Sequence, residues 1–562
     1  MEDDFIFPIQ EQHAELADIV VCENVTDYAT LSPLAALVPM STLLPALSEL
    51  LVSGGDARIV LNSATGKNKY GCPAQPNPML AAFGSATATS ISVRGLAAAH
   101  ALHTKIQMRI AQSKVVTEYT ALLATIYREE MERIRHALNT YCGVSEQDHV
   151  ATIFAASGTD LHLITGQLLA GRPTTYANSM RPLRIIMMEE SETGSGVATA
   201  LRGQHFSDCA AQGQRVPEHG NLANANPTEI ISIRLRENDG TVRTMATINH
   251  EINQVIHESI THGQQVLLIP IDVSKTGLTA PDPAFLACVL QRHREHLTVM
   301  VDACQFRLAE ASIQAYLKLG CMIALTGSKF VTGPSFSGAL LIPAALVPRL
   351  SKNTLPTALR DYSVRGDWPT DWPAANQLND IANIGLLLRW EAALAELRAF
   401  RTIPAAQIHQ FLCRFSETVQ RVIAHSPTLE LLPQPVLDRH FLSAEPQSDS
   451  APWDSVQTIF PILLRHADAP GLHLSREQTH QLYLQLQTSP QQVYQLGQPV
   501  LCGVRHGVAV SALRICASAR LIVEACENGE NSAQRVLQRV VQCITKINAL
   551  VTTGLSLTES NP

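Results

Sequence analysis

Residues 298–343 read TVMVDACQFRLAEASIQAYLKLGCMIALTGSKFVTGPSFSGALLIP, and this stretch decides the fold. Short apolar runs within it predict three buried β-strands, at 299–301, 322–325 and 338–342. Between the first two runs, residues 309–319 have the apolar spacing of a short amphipathic helix. Strand, helix and strand in succession indicate an α/β protein with a mainly parallel sheet.

An acid and a lysine follow neighbouring strands of this stretch. Asp302 ends the first apolar run, and Lys329 lies in the turn after the second. Ligands of open α/β sheets bind at the edge where the strands end, so both side chains are expected at one site. A lysine beside buried apolar strands is costly to keep charged, which favours a neutral form such as an imine. The pair predicts a Schiff-base lysine, with an acid that keeps a heteroaromatic ring protonated.

Upstream residues continue the alternation of strands and helices. The predicted strands lie at 151–154, 184–188, 229–236 and 266–272, and the predicted helices at 246–261 and 283–296. Three segments precede them: a short strand at 58–63, a Gly- and Pro-rich loop at 64–92 and a helical region at 93–142.

The composition changes after residue 343, where the sequence predicts a smaller α+β domain. Its predicted helices lie at 376–400, 405–426 and 531–551, its strands at 429–432, 455–464 and 508–515, and an exposed loop at 445–453. The predicted organisation is an N-terminal extension (1–56), a large α/β domain (57–345) and a small C-terminal α+β domain (346–562).

The composition indicates a well-buried globular protein in a reducing compartment. Of 562 residues, 46% are hydrophobic and only 16% are charged, which excludes a disordered chain. A net charge of -8 without a basic run argues against nucleic-acid binding. The 12 cysteines include no CxxC pair, so free thiols are expected and a metal site is not. Without a signal-peptide core, and with prolines interrupting the apolar residues 31–52, the chain is expected to be cytoplasmic and to span no membrane.

Polar residues of catalytic type follow five predicted strands. Ser157, Gly158 and Thr159 open a helix whose unpaired backbone N–H groups suit a phosphate. Taken alone, these residues are explained more simply as an ordinary helix N-cap. The other strand ends carry Glu192 with Thr193, Ser274, Asp302 and Lys329. Five such ends on one sheet predict a functional site.

These residues in this order resemble a fold-type-I enzyme dependent on pyridoxal 5′-phosphate (PLP). The resemblance is greatest to the class V aminotransferase group, which also contains cysteine desulfurases and kynureninases. Its strongest parts are VDACQ at 301–305 and TGSKFVTGPSFSGAL at 326–340. It implies the PLP-dependent transferase (aspartate aminotransferase-like) fold, PLP as the cofactor and a homodimer.

The resemblance also implies roles for individual residues. Lys329 would hold PLP as a Schiff base and carry the Cα proton, and Asp302 would pair with the pyridine nitrogen. Arg514 would clamp the substrate carboxylate, because a guanidinium binds it with two parallel hydrogen bonds. Gln305 and Ser274 would lie near the ring's 3′-oxygen. The residues implied for the phosphate are Ser157, Gly158 and Thr159, with hydroxyl donors from Thr326 and Ser328.

Three departures bear on the reaction. Residues 189–196 contain no ring to stack on the cofactor, which leaves Glu192 or Thr193 to cover it. Ser328 stands where desulfurases have histidine, and Cys502 is interpreted as a buried small hydrophobe. A persulfide-forming desulfurase is therefore disfavoured.

The predicted function is a PLP-dependent enzyme acting on an amino acid or amine, aminotransferase-like in outcome. The alternatives are a PLP-dependent lyase (C–S or β/γ-elimination) and a carbon–carbon bond-forming enzyme of the same fold. A catalytically silent scaffold of this fold is a more remote alternative.

Overall fold

A computed structural model describes residues 44–113, 118–171, 182–226, 228–442, 452–488, 492–527 and 529–553. The strands are β1 (Leu80–Phe83), β2 (Ala151–Ala155), β3 (Leu183–Met188), β4 (Thr228–Ile233), β5 (Gln265–Ile269), β6 (Leu297–Asp302), β7 (Met322–Thr326), β8 (Gly338–Ile342), β9 (Leu429–Leu431), β10 (Ile459–Leu464), β11 (Val493–Arg505) and β12 (Val508–Cys516). The first helices are α1 (Leu47–Leu50), α2 (Val93–Gln112), α3 (Tyr119–Tyr141), α4 (Gly158–Ala170), α5 (Val197–Leu201), α6 (Met245–Thr261) and α7 (Pro283–Arg292). The remaining helices are α8 (Glu310–Lys318), α9 (Val347–Leu350), α10 (Ile384–Arg401), α11 (Ala405–Ala424), α12 (Arg476–Leu486), α13 (Ala519–Glu527) and α14 (Glu530–Thr552).

A seven-stranded sheet with strand order β2-β8-β7-β6-β5-β3-β4 forms the larger core. Strand β8 runs antiparallel to both of its neighbours, and the other pairings are parallel. Every residue of β2, β6, β7 and β8 is buried, which explains why these strands read as continuous apolar runs. The prediction of a mainly parallel α/β sheet domain with a smaller α+β part is confirmed.

A second sheet of five strands has the order β1-β11-β12-β10-β9. Strands β9 to β12 follow the large sheet in sequence, but β1 comes from far upstream and pairs in parallel with β11, Leu80 opposite Val493. The predicted loop at 64–92 is therefore wrong at 80–83. These four residues, LAAF, carry no alternating pattern of their own, so the strand depends on its partner β11.

Several predicted element boundaries also need correction. The expected strand at 58–63 is instead a short 3-10 helix, Ala57–Ile59, which Asp56 caps by accepting the Arg58 N–H. The expected helix at 376–400 begins only at Ile384, after a 3-10 turn at Pro373–Gln377. Trp453, placed in an exposed loop by its polar neighbours, is buried, while residues 445–451 of that loop lie outside the described ranges.

Strand β11 and helices α12 and α13 were not predicted. Strand β11 contains glycine and proline and is exposed at several positions near its end, so its sequence lacks the pattern of a buried strand. Residue 345, the predicted domain boundary, falls after β8, and it stays a prediction. None of the helices in the described ranges is both long and apolar enough to cross a bilayer.

Candidate active site

A cavity of about 290 Å³ lies where strands of the large sheet end. Most of its polar wall comes from the segments that follow β2, β3, β5, β6 and β7, as expected for a ligand site of an open α/β sheet. The structure brings eleven of the twelve predicted site residues to this wall: Ser157, Gly158, Thr159, Glu192, Thr193, Asp302, Gln305, Thr326, Ser328, Lys329 and Arg514. The exception is Ser274.

Asp302 and Lys329 line the same cavity from neighbouring parallel strands. Asp302 is the last residue of β6, and Lys329 lies three residues beyond β7. Burial alone would raise the pKa of the Asp302 carboxyl, but the charge and hydrogen bond of His162, the charge of Lys329 and the Cys304 side chain hold that pKa below its ordinary value. The carboxylate therefore stays ionised inside the wall of the cavity.

His162 lies behind Asp302. Its Nε2 is 3.5 Å from Asp302 Oδ2, and its Nδ1 donates to the Gly158 carbonyl at 2.7 Å. The ring is buried on α4, one turn after the start of that helix. His162 thus joins the acid to the helix N-terminus, a function that its sequence neighbours do not reveal.

The N-terminus of α4 also lines the cavity. Ser157 is the N-cap, and its Oγ accepts the Asp160 N–H at 3.3 Å. A Cβ on Gly158 would lie 2.9 Å from Cys304 Sγ, so only glycine fits where the helix passes this thiol. Unpaired N–H groups in the first turn of a helix attract an anion. Of the two hydroxyls predicted to assist them, Thr326 Oγ1 already donates to the Cys304 carbonyl at 2.6 Å.

Arg58, missed by the sequence reasoning, supplies a cation at this end. Its guanidinium donates to Ser157 Oγ at 3.3 Å and to Thr159 Oγ1 at 3.4 Å. Asp56 fixes it through Nε–Oδ1 and Nη2–Oδ2 contacts of 2.8 and 2.5 Å. The guanidinium lies over the rings of Phe206 and Phe336, 5.6 and 5.4 Å from their centres. A lone arginine in an apparent strand gave no signal of this placement.

Two carboxyl groups adjoin the same end of the cavity. Asp56 and Asp160 are both fully buried, and Asp160 accepts from Ser157 Oγ. Burial and the charge of Asp56 raise the pKa of the Asp160 carboxyl. Asp160 therefore holds a proton more readily than an ordinary aspartate, which lessens its repulsion of a bound anion.

Glu192 organises the turn after β5 instead of facing a ligand with free oxygens. Its carboxylate accepts from Arg236 Nε at 2.8 Å, from Ser274 Oγ at 2.6 Å and from Thr276 Oγ1 at 2.7 Å. Burial opposes its charge, but Arg236 and these hydroxyls hold the pKa of Glu192 below its usual value. Ser274 is committed to this network and does not line the cavity, so nothing here supports its predicted contact with the ring oxygen.

Arg514 is fully buried at the cavity and has no carboxylate partner among the described residues. All five of its N–H groups have neutral acceptors: the Gln498 carbonyl twice, the carbonyls of Ala86 and Lys275, and Thr87 Oγ1. Its charge is thus uncompensated, although its donors are occupied. The predicted two-bond clamp on a carboxylate would require some of these bonds to break.

Lys275 is a second lysine of the cavity wall that sequence reasoning missed. It lies in the VSKTG turn, next to the predicted Ser274, and no pattern distinguishes it from a surface lysine. Cys502, by contrast, does not line the cavity. It is fully buried, which raises the pKa of its thiol to about 11. The structure thus agrees with its interpretation as a small hydrophobe.

The described residues fit PLP. An ionised carboxylate, Asp302, faces the cavity and suits a protonated ring nitrogen. Gln305 donates to the Ala86 carbonyl, while its buried Oε1 accepts no hydrogen bond from the described residues and suits a ring hydroxyl. The α4 N-terminus with Arg58 suits a phosphate, and Lys329 is a primary amine in the same cavity. The volume is at the small end of ligand pockets.

Comparisons with known proteins give structural likeness only. No family model and no curated protein matches the sequence. Among solved structures, the cystine C-S lyase C-DES in complex with cysteine persulfide is similar at 16% identity and a TM-score of 0.47, covering 82% of this chain and 97% of that one. The NifS-like protein from Rickettsia africae is similar at 11% identity and a TM-score of 0.47. The match covers 83% of this chain and 99% of that one.

A tryptophan decarboxylase from Catharanthus roseus, in complex with L-tryptophan, gives 13% identity and a TM-score of 0.45 over 84% of this chain and 83% of that one. Identities this low, with TM-scores below 0.5, carry nothing about substrate or reaction to this chain.

Proposed function

We propose that this chain is a PLP-dependent enzyme that acts on an amino acid or amine. The observation that carries the proposal is the pairing of Asp302, kept ionised, with Lys329 in one cavity that a helix N-terminus also lines. When bound, PLP supplies an electron sink for negative charge at the substrate Cα.

The residues behind Asp302 keep it in position and in the ionised form. The Cys304 N–H donates to Asp302 Oδ1 at 3.1 Å, and His162 stands at Oδ2. Gln305, three residues after Asp302, would accept a hydrogen bond from the ring hydroxyl of PLP with its Oε1. The carboxylate would hold a proton on the ring nitrogen, because an ion pair in a buried site favours the charged partner.

At the phosphate end, the backbone N–H groups of α4 and the side chains of Arg58 and Ser328 would bind the dianion. Arg58 is held in place by Asp56, so little side-chain entropy is lost when the anion arrives. Lys329 would be the amine that holds the cofactor, and its Nζ would take the proton from the substrate Cα.

We propose transamination as the outcome. Among the described residues of the cavity wall the thiol is Cys304, and burial raises its pKa well above the ordinary value, so it is not poised as a sulfur nucleophile. Elimination, the lyase alternative, needs no such nucleophile and is separated from transamination by its products.

The test begins with the colour of the purified protein. We expect visible absorption from bound PLP and, after borohydride reduction, a mass increase on the peptide that contains Lys329. Lys329→Ala is expected to abolish both, whereas Lys352→Ala, at an exposed position, is expected to change neither. A colourless chain that takes up no PLP, or reduction at a different lysine, would contradict the proposal.

Incubation with single amino acids then identifies the reaction. Transamination would give keto acid together with pyridoxamine phosphate, without release of ammonia. Ammonia or sulfide, with the cofactor still in its aldehyde form, would instead establish the lyase alternative.

A further inference from the structure

We infer that Lys275, and not Arg514, receives the substrate carboxylate, which makes the substrate an amino acid rather than a simple amine. The inference rests on the proposed function and deepens it. It starts from the number of hydrogen-bond donors that each cation of the cavity can still offer.

Arg514 has none to spare. Its five N–H groups meet five neutral acceptors, with the shortest contacts, 2.6 Å, to Thr87 Oγ1 and the Gln498 carbonyl. These bonds hold together the segment after β1, the turn after β5 and strand β11. A carboxylate that displaced them would separate these segments, so Arg514 acts on a ligand through its charge.

Lys275 has donors to spare. Its ammonium donates to the Glu190 carbonyl at 3.2 Å, and no carboxylate of the described ranges forms an ion pair with it. An ammonium carries three N–H donors, so two remain for a ligand. The two carboxylates whose negative charge acts on Lys275 are Glu190 and Glu192, and both belong to the turn after β3.

The backbone of Lys275 is fixed on both sides. Its N–H donates to the Glu192 carbonyl at 3.0 Å, and its carbonyl accepts from Arg514 Nη1 at 3.1 Å. Glu192 is itself locked by Arg236, Ser274 and Thr276. The dense network of hydrogen bonds around Glu192 thus sets the position from which Lys275 reaches the cavity.

The electrostatics of the wall favour an anion at this point. Burial and the positive charges of Arg514 and Lys329 lower the pKa of Lys275 to about 8, against the opposing effect of Glu192 and Glu190. A bound carboxylate would offset this repulsion and favour the charged ammonium. Carboxylate binding should therefore weaken as the pH rises through the pKa of Lys275.

The test uses the cofactor-loaded protein and propionate as the probe, with propionamide as its uncharged match. Ligand-observed NMR gives the dissociation constants. We expect Lys275→Gln to weaken propionate binding by about tenfold or more, as for loss of a buried charge partner. Lys275→Arg should retain binding within about threefold and should lose the weakening at high pH. Neither variant should change the dissociation constant of propionamide. Lys352→Gln serves as the exposed-lysine control.

Two results would overturn the inference: wild-type affinity for propionate in Lys275→Gln, or equal pH dependence in the wild type and Lys275→Arg. Visible absorption of each variant reports the cofactor separately. If the chain takes up no PLP, the proposed function fails, and the same titration on the cofactor-free chain still decides whether Lys275 binds the carboxylate.

Discussion

His162 shows how one side chain can set the charge of another at the centre of the site. Replacing it by leucine would leave Asp302 without the neighbour that most lowers its pKa, so the pKa of that carboxyl should rise. Because the carboxylate would then hold the ring nitrogen's proton less firmly, we expect kcat to fall roughly tenfold, which is about 1.4 kcal/mol in activation free energy. The visible spectrum should change its pH dependence, whereas a purely structural role would alter stability alone. An unchanged spectrum and kcat in a folded His162→Leu protein would contradict this role.

The lowered pKa of Asp302 also makes the stability of the fold depend on pH. Because the folded-state pKa of Asp302 lies below the unfolded value, its ionisation stabilises the fold above a pH of about 4, and this contribution is lost as the pH falls through the folded-state pKa. The stability of His162→Leu relative to wild type should therefore be lowest near neutral pH and should recover in acid. Denaturant midpoints measured from neutral to acid pH check this expectation.

Arg58 is the cation beside Ser157 and Thr159 at the proposed phosphate site. Arg58→Ala should raise the dissociation constant of PLP by about tenfold or more, because a half-buried cation at the phosphate end is removed. Titration of the cofactor-free chain with PLP, followed by absorption, measures the constant. Arg215→Ala is the matched control, since its side chain is 82% exposed. Equal constants for Arg58→Ala and the control would exclude Arg58 from the phosphate site.

Helix α4 begins where the chain has room only for glycine. Gly158→Ala would place a methyl group 2.9 Å from Cys304 Sγ, and overpacking of this kind costs roughly 1–3 kcal/mol. Cys304→Ala removes the clashing sulfur, so the double variant should recover most of the loss. Denaturant unfolding of the four proteins gives the coupling free energy between the two sites. Additive losses would show that the thiol is not what restricts residue 158.

The elements themselves differ in how far the sequence predicts them. Strands β6, β7 and β8 are buried along their whole length, so their apolar runs alone predicted them within one or two residues. Strand β1 is four residues of mixed pattern that pair with β11 some 400 positions away, and no local signal encodes such a partner.

The residues of the candidate site also differ in how far the sequence predicts them. Residues that follow the strands of the large sheet could be predicted, because parallel strands bring their ends to one edge. Arg58, His162 and Lys275 could not be. Arg58 comes from a segment before the sheet, His162 is one turn inside a helix, and Lys275 differs from a surface lysine only by its buried surroundings.

At the scale of the whole molecule, a buried ion pair fastens residues beyond 430 to the end of the large sheet. Arg439 donates to both oxygens of Asp272 at 2.5 and 2.7 Å, and Tyr316 on α8 donates to the same carboxylate at 2.8 Å. Asp272 directly precedes Val273 of the cavity wall, and it lies three residues before Lys275. The pair therefore connects the stability of the fold to the position of the turn that carries Lys275.

Removing one partner of this ion pair should cost more unfolding free energy than removing both partners. Arg439→Met would leave the Asp272 charge buried without its main partner, and we expect a loss of about 3–5 kcal/mol in unfolding free energy. Asp272→Leu combined with Arg439→Met should lose less than the single change, because the Asp272 charge is then absent, while Asp454, 3.6 Å from Arg439 Nε, loses its cation in both proteins. Denaturant midpoints give both values, and propionate binding reports the turn independently. We expect Arg439→Met to weaken propionate binding as well, since Lys275 loses its fixed position. A destabilised variant with wild-type propionate affinity would show that the ion pair supports the fold without positioning the site.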